Sequence, residues 1–147
     1  MYKLYIEKNI SSKELLNRVL KELNINDEII YNEYGKPYLK NNEIYFNISH
    51  SKEYTILGIS SSEIGVDIEE IKPIRENVIN KVGTDDEKKL IKNDEDFTLI
   101  WVKKESYVKW VGMGIGYGLK NVDTTKITNF IIKRLDNFYI SVYIDNK

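Results

Sequence analysis

Apolar positions recur along this chain with two periods, and the switches between them lay out its elements. Residues 2–8 alternate as a half-buried strand does, with Tyr2, Leu4 and Ile6 on one side. Ser11-Ser12-Lys13-Glu14 then reads as a capping box, opening a helix whose stripe runs Leu15, Val19, Leu20 and Leu23. A short strand is expected near 28–31 and a turn at Tyr34-Gly35-Lys36-Pro37, where glycine is free to take positive φ and proline fixes the exit. Strands follow at 44–51 and 54–60. Residues 64–71 alternate again, with Ile64, Val66 and Ile68 on one face and Asp67 and Glu69 on the other. Helical spacing over 75–92 breaks at Gly83, and Thr84 caps the acidic turn Asp85-Asp86-Glu87. Asn93 opens the longest helix, which runs to Val111 and stops at Gly112. Strands near 127–135 and 138–144, joined by a turn at Asp136-Asn137, close the chain. This order predicts an α+β fold: one domain over 1–147, built from two similar halves at about 1–60 and 61–147.

Composition narrows the chemistry. At 147 residues and 41% hydrophobic the chain has enough apolar material for one core. Its 23 acidic and 22 basic residues leave a net charge of -1, so no global field draws it to nucleic acid or an anionic membrane. With no cysteine and one histidine, a disulfide framework, a thiolate nucleophile and a structural zinc site are all disfavoured. Any metal is expected to be oxygen-bound, which points to Mg²⁺ or Mn²⁺. No apolar run resembles a signal peptide or a membrane span, so a cytoplasmic location is expected.

Three stretches carry candidate chemistry. In a strand, Asp67 and Glu69 stand about 6.5 Å apart on one face, close enough for one hard cation or one charged segment of a substrate; an acidic solvated face is the plainer alternative. Trp101, Glu105 and Lys109 share one face of the long helix. There Glu105, set in a mostly apolar stripe, needs a metal, a lysine or solvent, and a simple Glu105–Lys109 pair would meet that need. Asn47-Ile48-Ser49-His50-Ser51 ends its strand in groups able to hydrogen-bond a phosphate, although a lone histidine there also serves as a capping or packing residue. Lys36 alone reads as a solvated turn lysine. Gly112, Gly114, Gly116 and Gly118 follow a helix rather than opening one, so they are expected to form a helix stop and a mobile loop, not a phosphate cradle.

Taken together and in this order, Tyr34–Pro37, Asn47–Ser51, Gly65-Val66-Asp67-Ile68-Glu69 and the stretch from Trp101 through Lys104, Glu105 and Lys109 to Gly114 resemble the Sfp-type 4'-phosphopantetheinyl transferases. The resemblance covers roughly residues 30–118. It implies that two similar α+β halves form an intramolecular pseudo-dimer, with the site between them and the chain able to act as a monomer, self-association into a homo-oligomer that completes the cleft being the alternative for a short member. It also implies transfer of 4'-phosphopantetheine from coenzyme A to a serine of an apo acyl or peptidyl carrier protein. Asp67, Glu69 and Glu105 would hold Mg²⁺, His50 and Ser49 would contact a coenzyme A phosphate, and Lys36 with its turn would hold the adenosine end. Lys109 would neutralise the diphosphate, Glu105 would take the serine proton, and Lys104 would be a secondary phosphate or carrier contact. The chain departs from the family pattern by being short before Tyr34, where relatives carry basic residues, leaving Lys13 and Arg18 as near candidates. Met113 stands where lysine is common. Lys88, Lys89, Lys92, Lys103 and Lys104 are a candidate basic face for an acidic carrier. A coenzyme A or carrier-binding module without turnover and a magnesium-dependent phosphohydrolase are the competing readings.

Overall fold

The computed structural model describes residues 1–41 and 43–145. Strand β1 (Tyr2–Lys8) leads into helix α1 (Ser12–Glu22), whose N-cap Ser11 accepts a hydrogen bond from the Glu14 amide. A two-stranded hairpin follows, β2 (Ile29–Tyr31) with β3 (Pro37–Leu39), then β4 (Tyr45–Ser51) and β5 (Tyr54–Ser60). After these come β6 (Gly65–Glu70), three helices α2 (Glu76–Val82), α3 (Asp85–Leu90) and α4 (Asp94–Val111), and finally β7 (Phe130–Leu135) and β8 (Phe138–Tyr143). The protein is therefore mixed α and β with antiparallel sheets, as the alternation of periods predicts.

Two three-stranded sheets organise these elements. One has the order β1-β5-β4 and the other β6-β8-β7, all pairs antiparallel. Helix α1 covers the outer face of the first sheet, burying Leu15, Leu16, Val19 and Leu20 against Phe46 and Leu57. The opposite face of that sheet meets the second sheet: Tyr54 and Ile56 pack with Ile64, Val66 and Ile68 of the β6 segment and with Phe138, Ile140 and Val142 of β8. The predicted apolar face at 64, 66 and 68 is thus core. Helix α4 lies across β6 and β8, where the Ser106 and Ser141 hydroxyls meet at 2.8 Å.

Among the described residues no backbone ladder joins the two sheets. Instead the β4 and β6 edges are bridged by side chains: Asn47 Oδ1 accepts the Val66 amide (2.8 Å) and Ser49 Oγ accepts the Ile68 amide (3.3 Å). From α4, Lys109 Nζ donates to the carbonyls of both strands, Ile48 (2.8 Å) and Val66 (3.0 Å). A buried amide left without an acceptor costs about 1 to 3 kcal/mol. Asn47→Ala, which orphans the Val66 N–H, is therefore expected to lower unfolding free energy by about that amount in a urea titration; an unchanged midpoint would mean the bridge carries no stability.

Local chemistry sets the helix boundaries near the site. Asn93 caps α4 by accepting from the Asp96 amide, and Gly112 ends it in the left-handed region at φ 76°. Thr84 and Glu87 form a reciprocal capping box on α3. Beyond Gly112 the chain forms three short 3₁₀ turns, Gly114–Tyr117, Leu119–Asn121 and Thr124–Lys126, where the glycine spacing suggests only a loop. The β3 strand is likewise a departure, because Pro37 reads as the exit of a turn and is in fact the first strand residue. No helix of the described residues is long and apolar enough to cross a membrane.

Candidate active site

Strand β6 and helix α4 set three acids and a lysine from distant parts of the chain within electrostatic reach of one another. Asp67 is buried. Its Oδ1 accepts the Ser49 hydroxyl at 3.0 Å, and its Oδ2 is buried with no hydrogen-bond partner among the described residues. Burial pushes the Asp67 carboxyl well above the usual range, and the nearby Glu69 and Glu105 push the same way against the pull of Lys109. Glu105 is raised for the same reasons, first by burial and then by Glu69, with Lys109 and Lys72 opposing. Burial lowers the Lys109 ammonium, while Asp67, Glu105 and Glu69 draw it back up. These mutual effects mark one electrostatic cluster.

Glu69 is held differently. Its Oε1 accepts the Trp101 indole N–H at 2.8 Å and lies 3.4 Å from Lys72 Nζ. Among the described residues no three His, Cys, Asp or Glu side chains stand gathered as a ready metal cage. Two observations nonetheless suit a hard cation: the unpartnered Asp67 oxygen and an all-oxygen donor set. The spacing on α4 suggests a Glu105–Lys109 ion pair, but among the described residues no carboxylate lies within 4.0 Å of Lys109 Nζ, because the ammonium is spent on the two strand carbonyls. An ammonium has three donors, so one remains.

Beside this cluster opens a cavity of about 900 Å³. Trp101, Glu105, Val108 and Lys109 form its α4 wall, Tyr34 to Pro37 one flank, and Asn77, Val78, Lys81 and Val82 of α2 with Leu119 and Lys120 another. Gly112, Gly114 and Gly118 also line it.

Several sequence expectations need correcting. Lys104 cannot be a phosphate or carrier contact, since it is 1% exposed and its ammonium donates to the Leu119 and Val122 carbonyls while pairing with buried Glu87 at 2.6 Å. Glu87 in turn accepts the Thr124 amide and hydroxyl, so the pair ties α3 and α4 to the 119–124 segment. Lys36 is not a solvated turn lysine. It lines the cavity with its stem, but its Nζ is taken by Glu63 (2.9 Å) and the Ile64 and Trp110 carbonyls, and burial lowers its pKa. The Ser49 hydroxyl is committed to Asp67 and Ile68. His50 is exposed at the end of β4 and is not part of the cavity lining. Arg18 on α1 is engaged with Glu7 of β1, and neither it nor Lys13 lines the cavity. In the proposed basic face Lys104 is buried and Lys89 faces Asp86 at 3.7 Å. What the sequence reading misses is Lys81 and Lys120 in the lining; single lysines on polar stretches give no signal until the fold sets them beside a cavity.

Gly65 explains the glycine that precedes the acids. A Cβ there would stand 2.0 Å from the Ser106 carbonyl oxygen and 2.5 Å from the Trp110 nitrogen, so only glycine lets β6 lie against the backbone of α4.

With this fold and this cluster, the chain belongs to the 4'-phosphopantetheinyl transferase superfamily, whose family model matches residues 63–143, more than half of its length. It is 32% identical over 143 residues to the 4'-phosphopantetheinyl transferase gsp of Aneurinibacillus migulanus, covering 88% of this chain and 60% of that protein. It is 36% identical over 94 residues to 4'-phosphopantetheinyl transferase Sfp of Bacillus subtilis (strain 168), covering 59% and 42% respectively. A third relative, 4'-phosphopantetheinyl transferase psf-1 of Bacillus pumilus, is 32% identical over 94 residues. The chain spans between 40% and 60% of the length of these three relatives.

Proposed function

We propose that this protein transfers 4'-phosphopantetheine from coenzyme A to a serine of an apo acyl or peptidyl carrier protein. One observation carries the reading: a buried aspartate with an unpartnered oxygen, flanked by Glu69, Glu105 and Lys109 beside a large cavity, in a chain of this superfamily. Asp67, Glu69 and Glu105 would hold Mg²⁺, with Mn²⁺ as the alternative, and the Asp67 Oδ2 offers a free oxygen ligand. Such an ion would offset the charge of the coenzyme A diphosphate.

The residues themselves supply the rest. The carrier serine oxygen forms a bond to the phosphorus bearing pantetheine, and the bond from that phosphorus to the bridging oxygen breaks. 3',5'-ADP leaves with the electron pair. Glu105, whose carboxyl is pushed up by burial and Glu69, is suited to take the serine proton. The remaining N–H of Lys109 offsets charge as it builds on the diphosphate. Because the Lys36 ammonium is occupied, the Tyr34–Lys36 turn would receive the nucleotide through its backbone and apolar surface.

We also read the two sheets as the two halves of a pseudo-dimer. In each unit the first sheet strand is followed by helix, with the β2-β3 hairpin added in the first unit, and then by two more sheet strands, the last of which inserts between the others to give β1-β5-β4 and β6-β8-β7. A single chain acting as a monomer in the cytoplasm is consistent with this reading.

The test is direct. Incubated with coenzyme A, Mg²⁺ and a panel of apo carrier proteins, the protein is expected to add one phosphopantetheinyl group, read as a mass increase on the intact carrier and lost on chelation with EDTA. A folded protein that modifies no carrier overturns the reading. Metal-dependent coenzyme A binding without product would favour a binding module in its place.

A further inference from the structure

Asp67 and Glu69 stand on one strand, yet each is held from a different part of the chain. Asp67 is fixed from β4 through the Ser49 hydroxyl, and Glu69 from α4 through the Trp101 indole N–H at 2.8 Å. A strand sets where a glutamate side chain starts but not where its carboxylate points, because several bonds turn in between. At Glu69 the direction is set through one oxygen. Oε1 accepts the indole N–H and lies 3.4 Å from Lys72 Nζ, and among the described residues no protein group donates to Oε2.

The two donors differ in kind. Lys72 rides on a flexible stem that is 39% exposed, whereas Trp101 is half-buried with its ring against Phe97, the centroids 6.4 Å apart. An indole has a single N–H, and here it is given to Glu69. The contact with Phe97 and the Lys72 ammonium over the ring at 5.6 Å need only a large aromatic side chain; what tryptophan adds to them is the donor. Its place on the helix gives that donor a consequence. Glu105 follows four residues later on the same face, and α4 is pressed against β6 at Gly65. Helix α4 therefore contributes one glutamate itself and aims the other, so both are set from one rigid element.

Resting on the transferase reading and its cation site, we propose that Trp101 is a positioning residue whose N–H engages Glu69 Oε1, so that Oε2 is the oxygen left for the divalent cation. Loss of a hydrogen bond that orients a metal ligand typically lowers metal affinity about 10- to 100-fold.

The test uses the whole chain and the metal alone, after circular dichroism melts establish that each variant is folded. Mn²⁺ affinity is read from the free-ion EPR signal and Mg²⁺ affinity by competition, both without coenzyme A or carrier. Trp101→Phe, which keeps an aromatic ring beside Phe97, is expected to weaken both at least about tenfold. Benzothienylalanine at position 101, an indole-shaped ring with sulfur in place of the N–H, should give the same loss and replaces the phenylalanine variant if that one does not fold. Lys72→Met removes a cation from the same oxygen and should bind metal as tightly as wild type or more so. The chain has two tryptophans, Trp101 and Trp110, so a nitrogen–proton correlation spectrum contains two indole signals. The Trp101 signal should move on addition of Mg²⁺ and in Glu69→Leu, with that of Trp110 unmoved. Where transfer occurs, the Mg²⁺ concentration for half-maximal rate rises while the rate at saturating Mg²⁺ returns toward wild type. Wild-type metal affinity in the variants lacking the N–H, or a Trp101 signal indifferent to Glu69→Leu, overturns the proposal, as does a loss in Lys72→Met equal to that in Trp101→Phe. A wild type that binds neither metal removes the cation site and the proposal with it. A wild type that binds metal, loses it on removal of the N–H and modifies no carrier upholds the proposal and sinks the transferase reading, a separate outcome.

Discussion

Gly65→Ala is expected to cost at least about 3 kcal/mol, or about 6 to 12 °C in Tm for a chain of this size. The reason is where the new methyl would go. Its neighbours would be the Ser106 carbonyl oxygen at 2.0 Å and the Trp110 nitrogen at 2.5 Å, and a helix backbone cannot swing aside as a side-chain tip can. Relief requires α4 to move away from β6, which withdraws Glu105 and Lys109 from Asp67 and removes activity along with stability. Gly58→Ala is the instructive comparison. A Cβ there meets only side-chain carbons of Val66 and Ile64, at 2.7 and 2.8 Å, so a smaller loss is expected. Differential scanning calorimetry of the two variants decides the matter, and equal losses would refute the backbone explanation.

Asp67→Asn is expected to separate activity from stability. Transfer should fall at least about 100-fold, since the substitution removes the charge of the oxygen proposed to meet a cation. The fold should be as stable as wild type or more so in metal-free buffer at neutral pH. An asparagine keeps an acceptor for the Ser49 hydroxyl, and it relieves a buried carboxylate that sits near Glu69 and Glu105. The direction with pH follows from the raised native pKa. Below about pH 4, where the group is protonated in both states, it makes little difference to folding. As pH climbs from there through the raised native value, the unfolded chain gives up the proton more readily and wild type loses stability that the variant retains. The Tm gap in favour of Asp67→Asn should therefore widen from about pH 4 toward neutrality. A variant that melts earlier than wild type at pH 7 would mean Asp67 is structural.

Much of this architecture is legible in the sequence because it is written locally. Asn93 and Gly112 bound α4 through a side-chain cap and a left-handed stop, and both act within one turn of their own position. The alternation at 64–69 likewise sends Ile64, Val66 and Ile68 to the core. The fate of polar groups is less legible, since it depends on partners far along the chain. Lys104 looks like a surface lysine until Glu87 and the carbonyls of Leu119 and Val122 close around it. Lys36 becomes a strut only because Glu63 and the end of α4 arrive beside it. Asn47 and Ser49 read as ligands for phosphate, yet they complete hydrogen bonds that β6 would otherwise lack at an edge with no partner strand among the described residues. Motif residues can thus persist through an assembly role as readily as through contact with substrate.

Lys109 unites the two. One ammonium grips the carbonyls of Ile48 and Val66, belonging to different sheets, and the same group lies in the field of three carboxylates. Until the sheets close on each other, that charge has no fixed address. Incompletely folded chains should consequently be inert rather than sloppy, because the nitrogen that latches the sheets is the one proposed to offset charge during transfer.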